Sequence, residues 1–168
     1  QENTIGKLFA AICLGILILP SIAAGQAWYN ASWAYRTKLT IDRAKVPNTN
    51  QPDFPVLINR TDANWKDTAN AGNVGKANGG DLLFTSTDGV TKLDHEIEKY
   101  TAATGELIAW VEVPTVNGSA AASNTEIYLY YGNAAAADQW NSTGTWDANF
   151  KGAWHLKETG NGTVGEYK

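Results

Sequence analysis

Asp81-Leu-Leu-Phe-Thr-Ser-Thr-Asp-Gly89, Leu93-Asp-His-Glu-Ile-Glu-Lys-Tyr100, Leu107-Ile-Ala-Trp-Val-Glu-Val-Pro114 and Glu126-Ile-Tyr-Leu-Tyr-Tyr-Gly-Asn133 follow one another in the middle of the chain. Each block is short, rich in β-branched and aromatic residues, and bounded by Gly, Pro, Asn or Asp, the signature of consecutive antiparallel strands. Thr87-Asp88-Gly89 adds a hairpin signal, because Asp-Gly supplies the positive φ angles that tight turns need. Upstream, Arg36 to Asp42 places Thr37, Leu39 and Ile41 on one face and Lys38, Thr40 and Asp42 on the other, the period of a half-buried strand. Phe54 to Arg60 reads as a further strand, with Pro55 near its start or on a sheet edge. About six strands with short connections predict an all-β fold, an antiparallel β-sandwich of jelly-roll type spanning residues 28–137. The Asp81–Asn133 run would form one half of it, opened by the Trp33–Asp42 strand.

Outside this body the composition changes. Lys7 precedes an uncharged apolar run, Leu8 to Leu19, then Pro20 and small residues ending Gly25-Gln26-Ala27. Residues 1–27 therefore read as a hydrophobic leader helix: a secretory signal peptide cleaved after Ala27, or a retained N-terminal membrane anchor. The run is short for a membrane span, which needs about 20 apolar residues. The single cysteine, Cys13, lies within it, so the exported part would have neither disulfide nor thiol chemistry. The absence of methionine suggests a piece of a longer protein. The net charge is −4 and no basic patch is visible, which argues against nucleic acid as a partner. The membrane would be met only through the N-terminal segment. Localisation is expected to be periplasmic, cell-surface or extracellular.

Residues 138–149 read as a linker rich in Ser, Thr and Gly, and Phe150 to Glu158 restarts a strand pattern, the start of a second domain over 150–168. Thr61 to Gly80 is polar and Gly/Asn-rich, and is expected to be a long loop.

These blocks in order resemble the exported family catalogued as domain of unknown function 2341. The resemblance rests on Trp33-Ala-Tyr-Arg36 leading into Leu39-Thr-Ile-Asp42, Phe54-Pro-Val-Leu57, Asp81-Leu-Leu-Phe84, His95-Glu-Ile-Glu98, Trp110-Val-Glu-Val-Pro114, and Ile127 to Asn133, over roughly residues 28–136. Gly152-Ala-Trp-His-Leu-Lys157 resembles the first strand of a concanavalin-like, laminin-G type lectin domain. The resemblance implies an exported multidomain protein, in some members joined to a MotA/TolQ/ExbB-type proton-channel module of biopolymer transport. That family has no established activity and carries no catalytic residue over to this chain.

Chemistry must then be sought in the residues themselves. On a strand Asp94, Glu96 and Glu98 would share a face, with neighbours about 6.5–7 Å apart. That separation lies between the carboxylate spacings of retaining and inverting glycosidases, so Glu96 and Glu98 are the pair a hydrolase would use. The simpler reading is a solvated strand face, with Leu93, His95 and Ile97 turned inward and His95 a hydrogen-bonded core residue. Asp81 and Asp88 offer hard oxygen ligands suited to calcium, although Asp88 beside Gly89 is explained by turn chemistry. Two histidines far apart and no exported cysteine give no zinc spacing. The aromatics point to binding: Trp65, Trp110, Tyr128 and Tyr130 could stack on sugar rings, with Trp65 in the polar loop expected to be exposed. The sequence thus favours a non-catalytic module that binds a polysaccharide or another cell-surface protein. The alternatives are a glycoside hydrolase and a periplasmic domain of a proton-channel transport protein.

Overall fold

The computed structural model describes residues 27–146 and Phe150. Of the expected leader over 1–27 and the expected second-domain start over 150–168, residues 1–26 and 151–168 lie outside the described residues. Seven strands form two antiparallel sheets: β1 (Tyr35–Ile41), β2 (Gln51–Thr61), β3 (Leu83–Thr85), β4 (Lys92–Leu93), β5 (His95–Thr101), β6 (Glu106–Val116) and β7 (Thr125–Tyr131). The first sheet has the order β1-β7-β3-β4 and the second β2-β6-β5. The all-β sandwich expected from the alternation is therefore present, and among the described residues it has one strand fewer than the eight of a jelly roll.

The central run does not stay in one sheet. β3 and β4 pair as a hairpin in the first sheet, whereas β5 and β6 pair in the second. The chain crosses at Asp94, which separates β4 from β5. The Leu93–Tyr100 block, one strand by its composition, is thus divided between the two layers. Strand propensity specifies extended backbone but carries no information on which layer receives it. Only the β3–β4 and β5–β6 connections remain within a sheet; the others cross between layers.

Packing follows period two. In β6, Leu107, Ala109, Val111 and Val113 are buried, while Ile108, Trp110 and Glu112 are only half-buried. The buried set meets Leu39, Phe84, Leu93, Ile127, Leu129 and Tyr131 of the first sheet in one core. Val56 and Ile58 of β2 pack against it from the edge. Pro55 sits on this edge strand, as its missing N–H predicts. β5 interrupts the period: Ile97 pairs with Ala109, but Lys99 pairs with Ile108 across a bulge. The extra residue, Glu98, keeps Lys99 outside and returns Tyr100 to the core side opposite Leu107.

Residues 61–80 form an ordered connection rather than an open loop. 3-10 turns at Ala63–Trp65 and Thr68–Asn70 start at Asp62 and Asp67, whose side chains accept the N–H groups of Asn64 and Asn70. Trp65 and Val74 are fully buried in the core.

The outer face of the first sheet is covered as well. Trp33, with Tyr29 beside it, packs on Leu83, Tyr128 and Tyr130. Residues 27–33 thus strap across β7 and β3, which explains why β7 is buried on both faces.

Candidate functional site

The second sheet's outer face carries an aromatic surface partly open to solvent. Cross-strand pairing sets Leu57, Trp110 and Glu96 in one row across β2, β6 and β5. Leu57 is 45% exposed, so the row begins in solvent at the sheet edge. At its other end the chain returns after β7. Asn141 caps a single helical turn, α1 (Ser142–Thr145), donates its amide to Asp94 and sends its backbone N–H to the His95 carbonyl. Gly144 faces the Asp94 carboxylate, where any Cβ would collide. This seat brings Trp146 onto the sheet.

Both indoles are held by carboxylates. Trp146 Nε1 donates to Glu96 at 2.9 Å and Trp110 Nε1 donates to Glu98 at 3.1 Å. The two rings lie 5.5 Å apart at 51°, and Phe150 follows 4.9 Å from Trp146. The result is an oriented aromatic step beside carboxylate acceptors and an exposed leucine. Such a surface can stack on the flat face of a ring.

The sequence-predicted residues fare differently. Glu96 and Glu98 do share this outer face, but they are not a plain solvated row. Glu96 is only 4% exposed because Trp146 covers it, and Glu98 occupies the bulge. Each accepts an indole N–H.

Trp65 is fully buried, contrary to its expected exposure. Its polar neighbours satisfy the turn backbone while the ring fills the end of the core, and its carbonyl accepts the Tyr100 hydroxyl at 2.7 Å. Tyr128 and Tyr130 point outward from the first sheet, but the strap covers them. Tyr130 Oη accepts from Arg36 and donates to the Gly89 carbonyl. The Arg36 guanidinium lies between the Trp28 and Tyr128 rings, 4.8 and 4.6 Å from their centroids. Of the four aromatics expected to bind, Trp110 alone sits on the half-open face.

The calcium ligands are otherwise engaged. Asp81 is fully buried, and its carboxylate accepts the backbone N–H groups of Gly75, Lys76, Gly132 and Asn133 at 2.8–3.0 Å. Four converging N–H dipoles suit an anion and repel a cation. Asp88 accepts the N–H groups of Val90 and Thr91 and the hydroxyls of Ser86 and Thr91. The Thr91 hydroxyl, with these amides, holds its carboxyl well below the usual range. Among the described residues no three His, Cys, Asp or Glu side chains gather as metal ligands.

His95 is buried in the core, as expected. Its Nδ1 lies 3.4 Å from the Leu93 carbonyl oxygen, a long contact, and its ring meets Phe84 edge-on at 5.1 Å. Nε2 has no hydrogen-bond partner among the described residues.

Residues 138–146 of the expected linker are part of the sandwich, and Trp146 is the site residue that the sequence reading missed. A tryptophan inside a Ser/Thr/Gly stretch was the available signal, since a solvated linker has no use for one.

No curated protein and no solved structure matches the chain. Residues 78–157, which include β3 to β7 and α1 but neither β1 nor β2, match the family described as Domain of unknown function (DUF2341).

Proposed function

We propose that this chain supplies a non-catalytic binding or assembly module of an exported, multidomain cell-envelope or secreted protein, with polysaccharide as its ligand. The observation that carries the reading is the outer face of the second sheet, where the exposed Leu57 lies beside the half-buried Trp110 and Trp146 stands next to it, the two indoles held in place by Glu98 and Glu96. Sugar rings present C–H faces to aromatics, and they require no catalytic pair or metal for binding. A sheet platform also holds its contact residues more rigidly than a loop would.

Titration of the intact chain with soluble neutral polysaccharides, followed by tryptophan fluorescence, tests the proposal. Saturable quenching is expected, and Trp110→Ala should abolish it while the variant keeps the native far-ultraviolet spectrum and a cooperative unfolding transition. Quenching that survives in Trp110→Ala would move the ligand elsewhere. A flat titration with every polysaccharide would turn the assignment to a protein partner. The hydrolase alternative makes a separate demand: polysaccharide turnover that disappears in the Glu96→Gln, Glu98→Gln double variant.

A further inference from the structure

We infer that the domain is a tension-bearing connector, in which Asp81 clasps the chain on both sides of the β1–β7 strand pair. β1 and β7 are the first and last strands, and they pair antiparallel with Tyr35 opposite Tyr131. The chain therefore enters β1 and leaves β7 at the same end of one ladder. Tension applied through the two chain ends would load that ladder one bond at a time, starting at Tyr35–Tyr131. Unzipping of this kind is the least resistant geometry for an antiparallel pair, whose bonds lie perpendicular to the strands.

The structure places a lock on each side of that pair, and both close on one residue. On the entering side, Trp33 Nε1 donates to the Asp81 carbonyl at 2.8 Å, and the Trp33 ring is buried against Leu83, Tyr128 and Tyr130. The strap before it is held by Arg36, which donates to the Ala27 carbonyl, and by Trp28, whose indole donates to the Trp33 carbonyl. On the leaving side, the Asp81 carboxylate accepts the N–H groups of Gly132 and Asn133, the two residues directly after β7. The same carboxylate also takes Gly75 and Lys76, which ties the clasp to the 61–80 connection. The Tyr35 and Tyr131 rings stack 5.6 Å apart at the mouth of the ladder. Gly132, at φ +91°, is where the leaving chain turns, and a Cβ there would strike the Tyr35 ring.

Beyond the clasp the two ends diverge. The strap lies on the outer face of the first sheet, and Trp146 lies on the outer face of the second. A pull between the ends must strip these packed aromatics and break the Asp81 bonds before it reaches β1–β7. The inference rests on the reading of this domain as one module within a longer exported chain, yet its test depends on the chain alone. Loss of ligand binding would therefore leave it standing.

The experiment is force spectroscopy on the whole chain, held by a handle at each end, with unfolding rates measured at fixed force. Asp81→Asn removes the carboxylate from its buried clasp and is expected to raise the unfolding rate at fixed force at least about tenfold, since forced unfolding is governed by the unfolding barrier. Trp33→Phe, which removes the indole N–H together with part of the buried ring, should raise it in the same direction by less and protects the test should Asp81→Asn fail to fold. Leu107→Ala, a core truncation away from both ends, is the comparator. The clasp is supported if the Asp81 and Trp33 variants weaken the chain under force by more than their loss in denaturant titration accounts for, and Leu107→Ala does not. Equal ratios for all three variants would overturn it.

Discussion

His95 shows how one residue reports its surroundings. Burial pushes its imidazole down to about 4, the nearby Lys92 charge acts in the same direction, and the Leu93 carbonyl and Asp94 only partly oppose them. The folded protein therefore keeps His95 neutral at pH values where the unfolded chain, with an ordinary histidine pKa near 6.5, already binds the proton. Stability is unaffected above that value, falls as pH drops from about 6.5 to about 4, and levels off below. Urea titrations should lose on the order of 2 kcal/mol between pH 7.5 and pH 4.5 from this group, and His95→Phe should remove most of that loss. Asp88 has the opposite sign. Its carboxyl is held low by Thr91 and Val90, so its contribution is present above about pH 4 and is lost as pH falls through the depressed value. In Asp88→Ala the acid limb of the stability curve should be shallower and the midpoint at pH 7 a few degrees lower, read by thermal melts at several pH values.

At the scale of elements, the polar 61–80 connection proves to be anchored by apolar side chains. Trp65 is wholly buried at the end of a 3-10 turn, so Trp65→Ala should cost about 3–5 kcal/mol in urea denaturation, as large core truncations do. An exposed loop tryptophan would cost almost nothing. The β5 bulge makes a second element-level prediction. Because Glu98 is the surplus residue, deleting it leaves Ile97 and Tyr100 facing the core and Lys99 outside. The deletion should keep a cooperative unfolding transition and the native far-ultraviolet spectrum. Deleting Ile97 would instead remove an apolar residue from the core side, and the transition should weaken or vanish. The β3–β4 hairpin was legible in Thr87-Asp88-Gly89 because turn chemistry is local. The bulge was not, because EIEKY is compatible with an unbroken ladder until Lys99 has to be kept out of the core.

At the scale of the whole molecule, the segment after β7 is a structural member. Gln139 donates its backbone N–H to the Gly80 carbonyl, Asn141 reaches His95, and Trp146 covers Glu96. A chain ending at residue 137 should therefore show a lower urea midpoint than one ending at residue 150, and its Glu96 carboxylate would lose its indole donor. Much of the architecture was determined by sequence alone. Alternating burial in β1 and β6, the Asp-Gly turn and the edge-strand proline are local consequences of side-chain period and backbone sterics, and these residues carry them without help from distant neighbours. The assignment of strands to layers, the burial of Trp65, Tyr128 and Tyr130, and the arrival of Trp146 beside Glu96 were decided by tertiary structure. Each depends on segments far apart in the chain, and no local pattern states which face a distant strap will cover or where a strand will cross between sheets. Aromatic residues in particular fill a core, line a strap or form a binding face with equal ease, so composition could nominate them but only packing could sort them.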